Sequence, residues 1–311
     1  MGGVGEEREI SIQSGSCVVQ VLREAGVNVI SADISPDNLD VLEDTSIDVF
    51  FIALHGRFGE DGQLQEILED KSLVYTGSGA KASRLAFDKL ASKKAFAEAG
   101  VATPAAVEFD SDGDMHRLEK QLEQFAEAYV IKPLRQGSTI GISIVDNPRE
   151  AIAAAKKCQG EFGDCMIERY ISGREVTVGI LGNRALPVIE IKARAGFYDY
   201  HAKYVDEETE FLFDTVEPAL AVKIQTDAIR CFAALGLRHF ARIDFRLGED
   251  SKPYVLEANT IPGLTSHSLV PKAAAKAEIS MSEVCAEIIE AALEDKGMKE
   301  APVNPAMKAK K

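Results

Sequence analysis

One stretch, Arg242 to Leu269 (RIDFRLGEDSKPYVLEANTIPGLTSHSL), constrains the fold more tightly than any other. Ile243, Phe245 and Leu247 alternate with Arg242, Asp244 and Arg246, which predicts a strand with one apolar and one polar face. Gly248 to Pro253 read as a polar turn, and Tyr254 to Ala258 resume as a strand, so the two form a hairpin. Pairing Leu247 with Tyr254 places Asp244 opposite Glu257 and Arg242 opposite Asn259. Like charges directly opposed in a hairpin are unfavourable and require compensation. Two carboxylates and an amide oxygen form an all-oxygen donor set suited to Mg²⁺. The competing reading is that Arg242 and Arg246 neutralise two surface acids. The apolar strands around the acids, and the Asn-Thr-Ile-Pro-Gly run after them, favour the metal.

The chain around this hairpin is long enough for one large or two to three small domains at 311 residues. Its 46% hydrophobic and 27% charged residues are those of a globular protein. A net charge of −15 argues against a broad nucleic-acid footprint or an anionic membrane surface, though a few local cations can still hold an anionic ligand. The five cysteines include no C-x-x-C pair, which argues against zinc and against a disulfide framework. No run approaches a membrane span and no signal peptide is visible, so the expected location is cytoplasmic.

The chain opens on MGGVGEEREIS. A Gly-Gly turn of this kind normally follows a strand, and only Met1 precedes it. Ser14 to Ala25 predict an amphipathic helix, and Val27 to Ile30 and Ile47 to Leu54 predict buried parallel strands. The second run leads through LHGRFGEDG into a helix from Gln63 to Glu69. Open α/β sheets place ligands at loops leaving the carboxyl ends of strands, which makes His55 a candidate. A buried structural histidine is the alternative. Helical periodicity then runs from Ala82 to Glu98 and carries Lys89.

A smaller α/β unit follows, with a strand at Tyr129 to Lys132 running into PLRQGSTIG. Glycines, Ser138 and Thr139 in this hairpin loop offer amide and hydroxyl donors to phosphate oxygens, and Lys132 adds charge. The loop lacks the Walker A order, and a ligand-free flexible hairpin is the alternative. A strand from Cys165 ends near Glu168, a β-rich region holds the aromatic loop FYDYHAKY, and a helix from Pro218 leads to the opening hairpin.

A lysine, a second lysine feeding a glycine hairpin, further acids, and an Asp…Glu-x-Asn hairpin describe, in that order, a nucleotide–Mg²⁺ cleft. In this order the chain resembles the D-alanine–D-alanine ligases of the ATP-grasp superfamily. The resemblance is carried by EREIS, FIALHGRFGEDG, YTGSG, DKLASK, IKPLRQGSTIG, YDYHAKY, RIDF and LEANTIPGLTSHS, and covers nearly the whole chain to about residue 294. It implies a mixed α/β and α+β, three-domain ATP-grasp architecture. An N-terminal doubly wound α/β substrate domain spans 1–85, a central subdomain 86–167, a C-terminal metal-binding domain 168–295, and a disordered tail 296–311.

The resemblance further implies that ATP phosphorylates the carboxylate of one D-alanine and that a second D-alanine attacks the acyl phosphate, giving a dipeptide for peptidoglycan. By the same match Asp244, Glu257 and Asn259 hold two Mg²⁺ ions, with Mn²⁺ as a substitute. Lys89, Lys132 and Lys203 serve the nucleotide, Glu168 and Ile171 line the adenine slot, and Glu175 meets the ribose. Arg242 and the Gly263 amide stabilise the tetrahedral oxyanion. Glu7 pairs with the first D-alanine's ammonium, with His55 nearby and Ser138 and Tyr204 as the hydrogen-bond partners of Glu7. Ser268 and Leu269 receive the second D-alanine's carboxylate. A homodimer is also expected.

The sequence departs from the family at Gln136, where Glu is common, at Thr139, where a second Ser is common, and at Ile261, where Ser is common. Family members also carry an apolar strand before the Gly-Gly pair, so the expectation is that coding sequence lies upstream of Met1. Competing functions are a D-alanine–D-lactate ligase, against which Tyr204 leans by the same resemblance, another dipeptide ligase, and a nucleotide-binding regulator without catalysis.

Overall fold

The computed structural model describes residues 1–138, 140–192 and 209–295. Lys203, Tyr204, Thr139 and the tail 296–311 lie outside the described residues. The first unit is built on α1 (Arg8–Glu24) and α2 (Gln63–Asp70). The two apolar runs expected as buried strands form no ladder. Among the described residues only the second run carries a bridge, Phe50 parallel with Tyr75, while Gly2 bridges Ile34 beyond the end of the first. Among the described residues no backbone hydrogen bond joins 27–33 to 49–54. A cavity of about 330 Å³ lies between them, lined by Val18, Leu22, Val29, Phe51 and Ile52 among others. Met1 flanks one end of it, its ammonium donating to Ala32 O at 3.1 Å and its carbonyl accepting Ile34 N–H at 3.0 Å.

The helix expected from Ala82 to Glu98 is two helices, α3 (Ala80–Phe87) and α4 (Lys89–Glu98). Asp88 leaves the helical region at φ −87°, ψ 106°, and its side chain accepts the Ala91 N–H at 3.0 Å as the N-cap of α4. The break sets Lys89 in the first turn of α4, where its charge adds to the positive end of the helix.

A four-stranded antiparallel sheet follows, ordered β1-β4-β2-β3, from β1 (Ala106–Glu108), β2 (Tyr129–Pro133), β3 (Ser143–Val145) and β4 (Cys165–Arg169). Helices α5 (Met115–Phe125) and α6 (Pro148–Phe162) cover it, burying Leu122, Tyr129, Ile131, Ala155 and Ile167. Pro148 starts α6, and the Asn147 side chain caps it by accepting the Glu150 N–H.

The second sheet comprises β5 (Gly173–Leu181), β6 (Arg184–Ala185), β7 (Ile189–Lys192), β8 (Glu210–Leu212), β9 (Phe240–Gly248) and β10 (Pro253–Asn259). Its order is β10-β9-β5-β7-β8, with β6 paired to β5. Helix α7 (Pro218–Ala234) packs with Phe96 of α4 on one face, around Val176, Ile243, Phe245 and Val255. Helices α8 (Leu269–Lys276) and α9 (Met281–Asp295) close the chain and share a core with the first unit through Leu54, Phe58, Val270 and Ile288.

The β9–β10 register agrees with expectation at the acids and differs near the turn. Glu257 pairs with Asp244 and Asn259 with Arg242, but Pro253, not Tyr254, pairs with Leu247. A bulge between Val255 and Glu257 absorbs the difference. It leaves Leu256 unpaired, so Leu256 and Glu257 both line the cleft while Val255 and Ala258 turn into the core.

Candidate active site

A cleft between the two sheets is lined by Lys89, Lys132, Glu168, Ile171, Glu175, Asp244 and Glu257, all of them anticipated from the sequence. Lys132, next to last in β2, reaches Glu168 of β4 at 2.5 Å; Lys93 of α4 meets the other Glu168 oxygen at 2.6 Å. Burial would raise the Glu168 carboxyl, but the charges of Lys132 and Lys93 and their hydrogen bonds outweigh it and hold it below the usual carboxylate range. Burial in turn lowers Lys93, with Glu168 opposing. Lys93 also donates to Thr103 Oγ1 at 2.7 Å, so it fixes the back wall of the cleft. Arg246 reaches Glu175 at 3.2 Å and donates to Ile171 O at 3.2 Å, which orders the rim.

The hairpin supplies the opposite wall. Asp244 accepts Arg242 through both oxygens, at 2.8 and 2.7 Å, together with Thr177 Oγ1 at 2.6 Å and Asn259 Nδ2 at 2.9 Å. Lys89 Nζ lies 3.4 Å from Glu257 and donates to Gln136 O in the glycine loop at 2.7 Å. Each of the two opposed acids therefore has its own cation. The oxygen set of Asp244, Glu257 and Asn259 on one side of the hairpin fits a hard divalent ion that shares its remaining positions with phosphate.

A third group of residues lies where the first unit meets the glycine loop. Ser138, in the left-handed region at φ +51°, donates its hydroxyl to Glu7 Oε1. Gly56 (φ +68°) and Gly137 leave the room that Glu7 occupies: a Cβ would come within 2.2 Å of Glu7 Oε2 at Gly56 and 2.6 Å at Gly137. His55 donates from Nδ1 to Ile261 O at 2.8 Å, and its Nε2 accepts Ser14 Oγ at 3.0 Å. Burial pushes His55 down to about 4, so it is neutral with both nitrogens engaged. That arrangement places His55 beside the acid pocket as a support for the loop that follows β10.

The same loop carries the other anticipated residues. At Gly263 a Cβ would lie 2.7 Å from Ser268 Oγ, which places the two side by side. Ser268 precedes α8 and accepts the Thr265 N–H at 3.0 Å, and Leu269 is buried in the first turn of the helix. The free amides of such a helix start suit a carboxylate. The charge of Arg242 acts on both His55 and Glu60, so the hairpin and the acid pocket adjoin.

The family models that match are the D-ala D-ala ligase N-terminus over residues 38–78 and the D-ala D-ala ligase C-terminus over residues 95–290. The chain belongs to the D-alanine–D-alanine ligase family. It is 42% identical to the D-alanine–D-alanine ligase of Syntrophotalea carbinolica over 93% of each chain, and 42% identical to that of Bordetella petrii over 93% of this chain and 89% of the relative. Among solved structures it resembles the Bacillus anthracis D-alanine–D-alanine ligase complexed with ATP, at TM-score 0.82 and 30% identity over 96% of this chain and 98% of that one. It also resembles the VanG D-Ala:D-Ser ligase of Enterococcus faecalis, at TM-score 0.82 and 26% identity over 94% of this chain and 97% of that one. The ligase thus has the α/β ATP-grasp fold expected from its motifs.

The structure brings all the anticipated residues of the ligase within the described segments into two adjoining regions. One holds Lys89, Lys132, Glu168, Ile171, Glu175 and the hairpin's Asp244, Glu257 and Asn259; the other holds Glu7, His55, Ser138, Arg242, Gly263, Ser268 and Leu269. Two residues were missed. Lys93 was visible only as the last residue of DKLASK, and Glu60 only as part of LHGRFGEDG. No described helix is long and apolar enough to cross a membrane.

Proposed function

We propose that the chain is an ADP-forming ligase that joins two D-alanines through a D-alanyl phosphate and so supplies the dipeptide for peptidoglycan. The observation that carries this reading is the Glu7–Ser138 contact, which joins an amine-binding acid of the first unit to the glycine loop that also receives Lys89. An amino acid held at Glu7 by its ammonium has its carboxylate free to face the phosphates gathered by that loop, Lys89 and Lys132. A carboxylate oxygen attacks the γ-phosphorus, the bond to the β-phosphate oxygen breaks, and ADP leaves. The deprotonated amine of a second D-alanine, anchored by its carboxylate at Ser268 and the start of α8, attacks the acyl carbon, and phosphate is expelled. Arg242 and the Gly263 amide stabilise the oxyanion formed in between.

Asp244, Glu257 and Asn259 are the residues to hold Mg²⁺, two ions in this reading, which supply charge neutralisation to the transferring phosphoryl group. With Mg²⁺ held by the acids, Lys89 and Arg242 would be available to substrate oxygens. A second reading, in which D-serine or D-lactate is the second substrate, draws support from the likeness to the D-Ala:D-Ser ligase. ADP formation with D-alanine alone, and product mass with D-serine or D-lactate added, separate these. Mg-ATP binding with no ADP formed in the presence of D-alanine points instead to a non-catalytic nucleotide binder.

A further inference from the structure

Glu60 has no role in the chemistry above, yet it stands where two functional loops meet. Its Oε2 accepts the Gly56 N–H at 2.6 Å and its Oε1 the Ile261 N–H at 3.3 Å. His55 donates to the carbonyl of the same Ile261, so both polar groups of that residue are held from one loop of the first unit. Ser14 of α1 accepts the Leu264 N–H at 3.3 Å. The segment carrying Gly263 is therefore suspended from the first unit at both ends.

Gly56 links this suspension to the substrate acid. Its amide goes to Glu60, and the face where a side chain would stand is filled by the Glu7 carboxylate. Two carboxylates thus flank a single glycine. Burial, then the charge of Glu7, push the Glu60 carboxyl up to about 8. The charged groups bearing on Glu60 are Glu7, just before α1, and Arg242 from β9, while His55 on its own loop is neutral.

We propose that Glu60 is a positioning residue that couples the arrival of the first substrate's amino group at Glu7 to the placement of the Gly263 amide. The inference rests on the ligase reading of the site. An ammonium set against Glu7 cancels the Glu7 repulsion on Glu60 and shifts it toward the ionised form, with burial still opposing the charge. As a charged acceptor it holds the Gly56 and Ile261 amides more strongly than a neutral acid can. The loop tightens only when there is an amino acid to activate. A side chain that merely braced the loop holds it equally with or without substrate.

Hydrogen exchange of the peptide spanning residues 259–265, with ADP and Mg²⁺ present, reads this coupling. In the wild type, D-alanine is expected to slow exchange of this peptide about tenfold, the gain of one charge-assisted bond. In Glu60→Gln the D-alanine effect is expected to vanish, with kcat lower by about ten- to a hundredfold through misplacement of Gly263 and ADP affinity unchanged. In Glu7→Gln, where the repulsion is absent from the start, the same peptide is expected to be slow without D-alanine. Equal D-alanine protection in wild type and Glu60→Gln, or unprotected exchange in Glu7→Gln, overturns the inference while leaving the ligase reading intact. Should Glu60→Gln fail to fold, the Glu7→Gln arm decides alone. A wild type that forms no ADP from D-alanine overturns the ligase reading itself.

Discussion

Asp244 and Glu257 are directly paired residues of the β9–β10 hairpin, and each is matched to a separate cation, Arg242 at 2.7 Å and Lys89 at 3.4 Å. The strain of opposing two acids is relieved by residues that the nucleotide and the acyl group will later require. Removing one acid therefore separates chemistry from folding.

Glu257→Gln keeps the shape of the side chain and removes one ligand charge. Turnover is expected to fall about a thousandfold or more, since several kcal/mol of charge stabilisation is lost. Melting should stay within about 3 °C of wild type, as a partly exposed pair contributes little. ADP formation and calorimetry check both halves, and wild-type turnover would remove Glu257 from the metal set.

Glu168→Gln should behave in the opposite way. Glu168 is buried between Lys132 and Lys93, and neutralising it strands two ammonium groups in the cleft wall. Breaking such a buried pair costs about 3–5 kcal/mol. Urea unfolding is expected to show a loss of this order, accompanied by weaker ATP binding.

His55 gives the protein a defined acid sensitivity. Its folded-state value of about 4 lies below the 6.5 of a free imidazole, so the unfolded chain binds more protons between these limits. The contribution of neutral His55 is fully present above pH 6.5 and is lost as the pH falls toward 4. It amounts to on the order of 3 kcal/mol. The difference in unfolding free energy between wild type and His55→Gln, followed from pH 8 to pH 4.5, should shrink as the pH falls; a flat difference contradicts the assignment.

Gly56→Ala should strike the first substrate specifically. The residue sits at φ +68°, where an alanine costs about 1–2 kcal/mol, and the new Cβ occupies the position of Glu7 Oε2. KM for the D-alanine that is phosphorylated is expected to rise about tenfold or more through loss of an ion pair, with ADP affinity retained. Steady-state kinetics at saturating ATP measure this directly.

The hairpin showed its acids from sequence because strand alternation and side-chain chemistry agree there. The bulge at Leu256 was hidden, since an extra residue in a strand leaves no mark on a short apolar run. The break at Asp88 was hidden for a similar reason: the apolar rhythm carries across it, and only the cap bond to Ala91 shows where α4 begins. Lys93 and Glu60 owe their importance to partners 75 and 201 positions away, separations over which local pattern carries no information. In the first unit, the apolar composition of 27–30 and 47–54 was legible, but pairing depends on what lies between them.

The slot between 27–33 and 49–54 bears on how the protein behaves in solution. Among the described residues the two margins of this apolar trough share no backbone hydrogen bond, and Ile30 stands 55% exposed at its edge, which makes it a place where an extended segment can add. A short extended apolar segment placed in that trough would act as a folding ligand, raising the melting temperature in proportion to the backbone it satisfies.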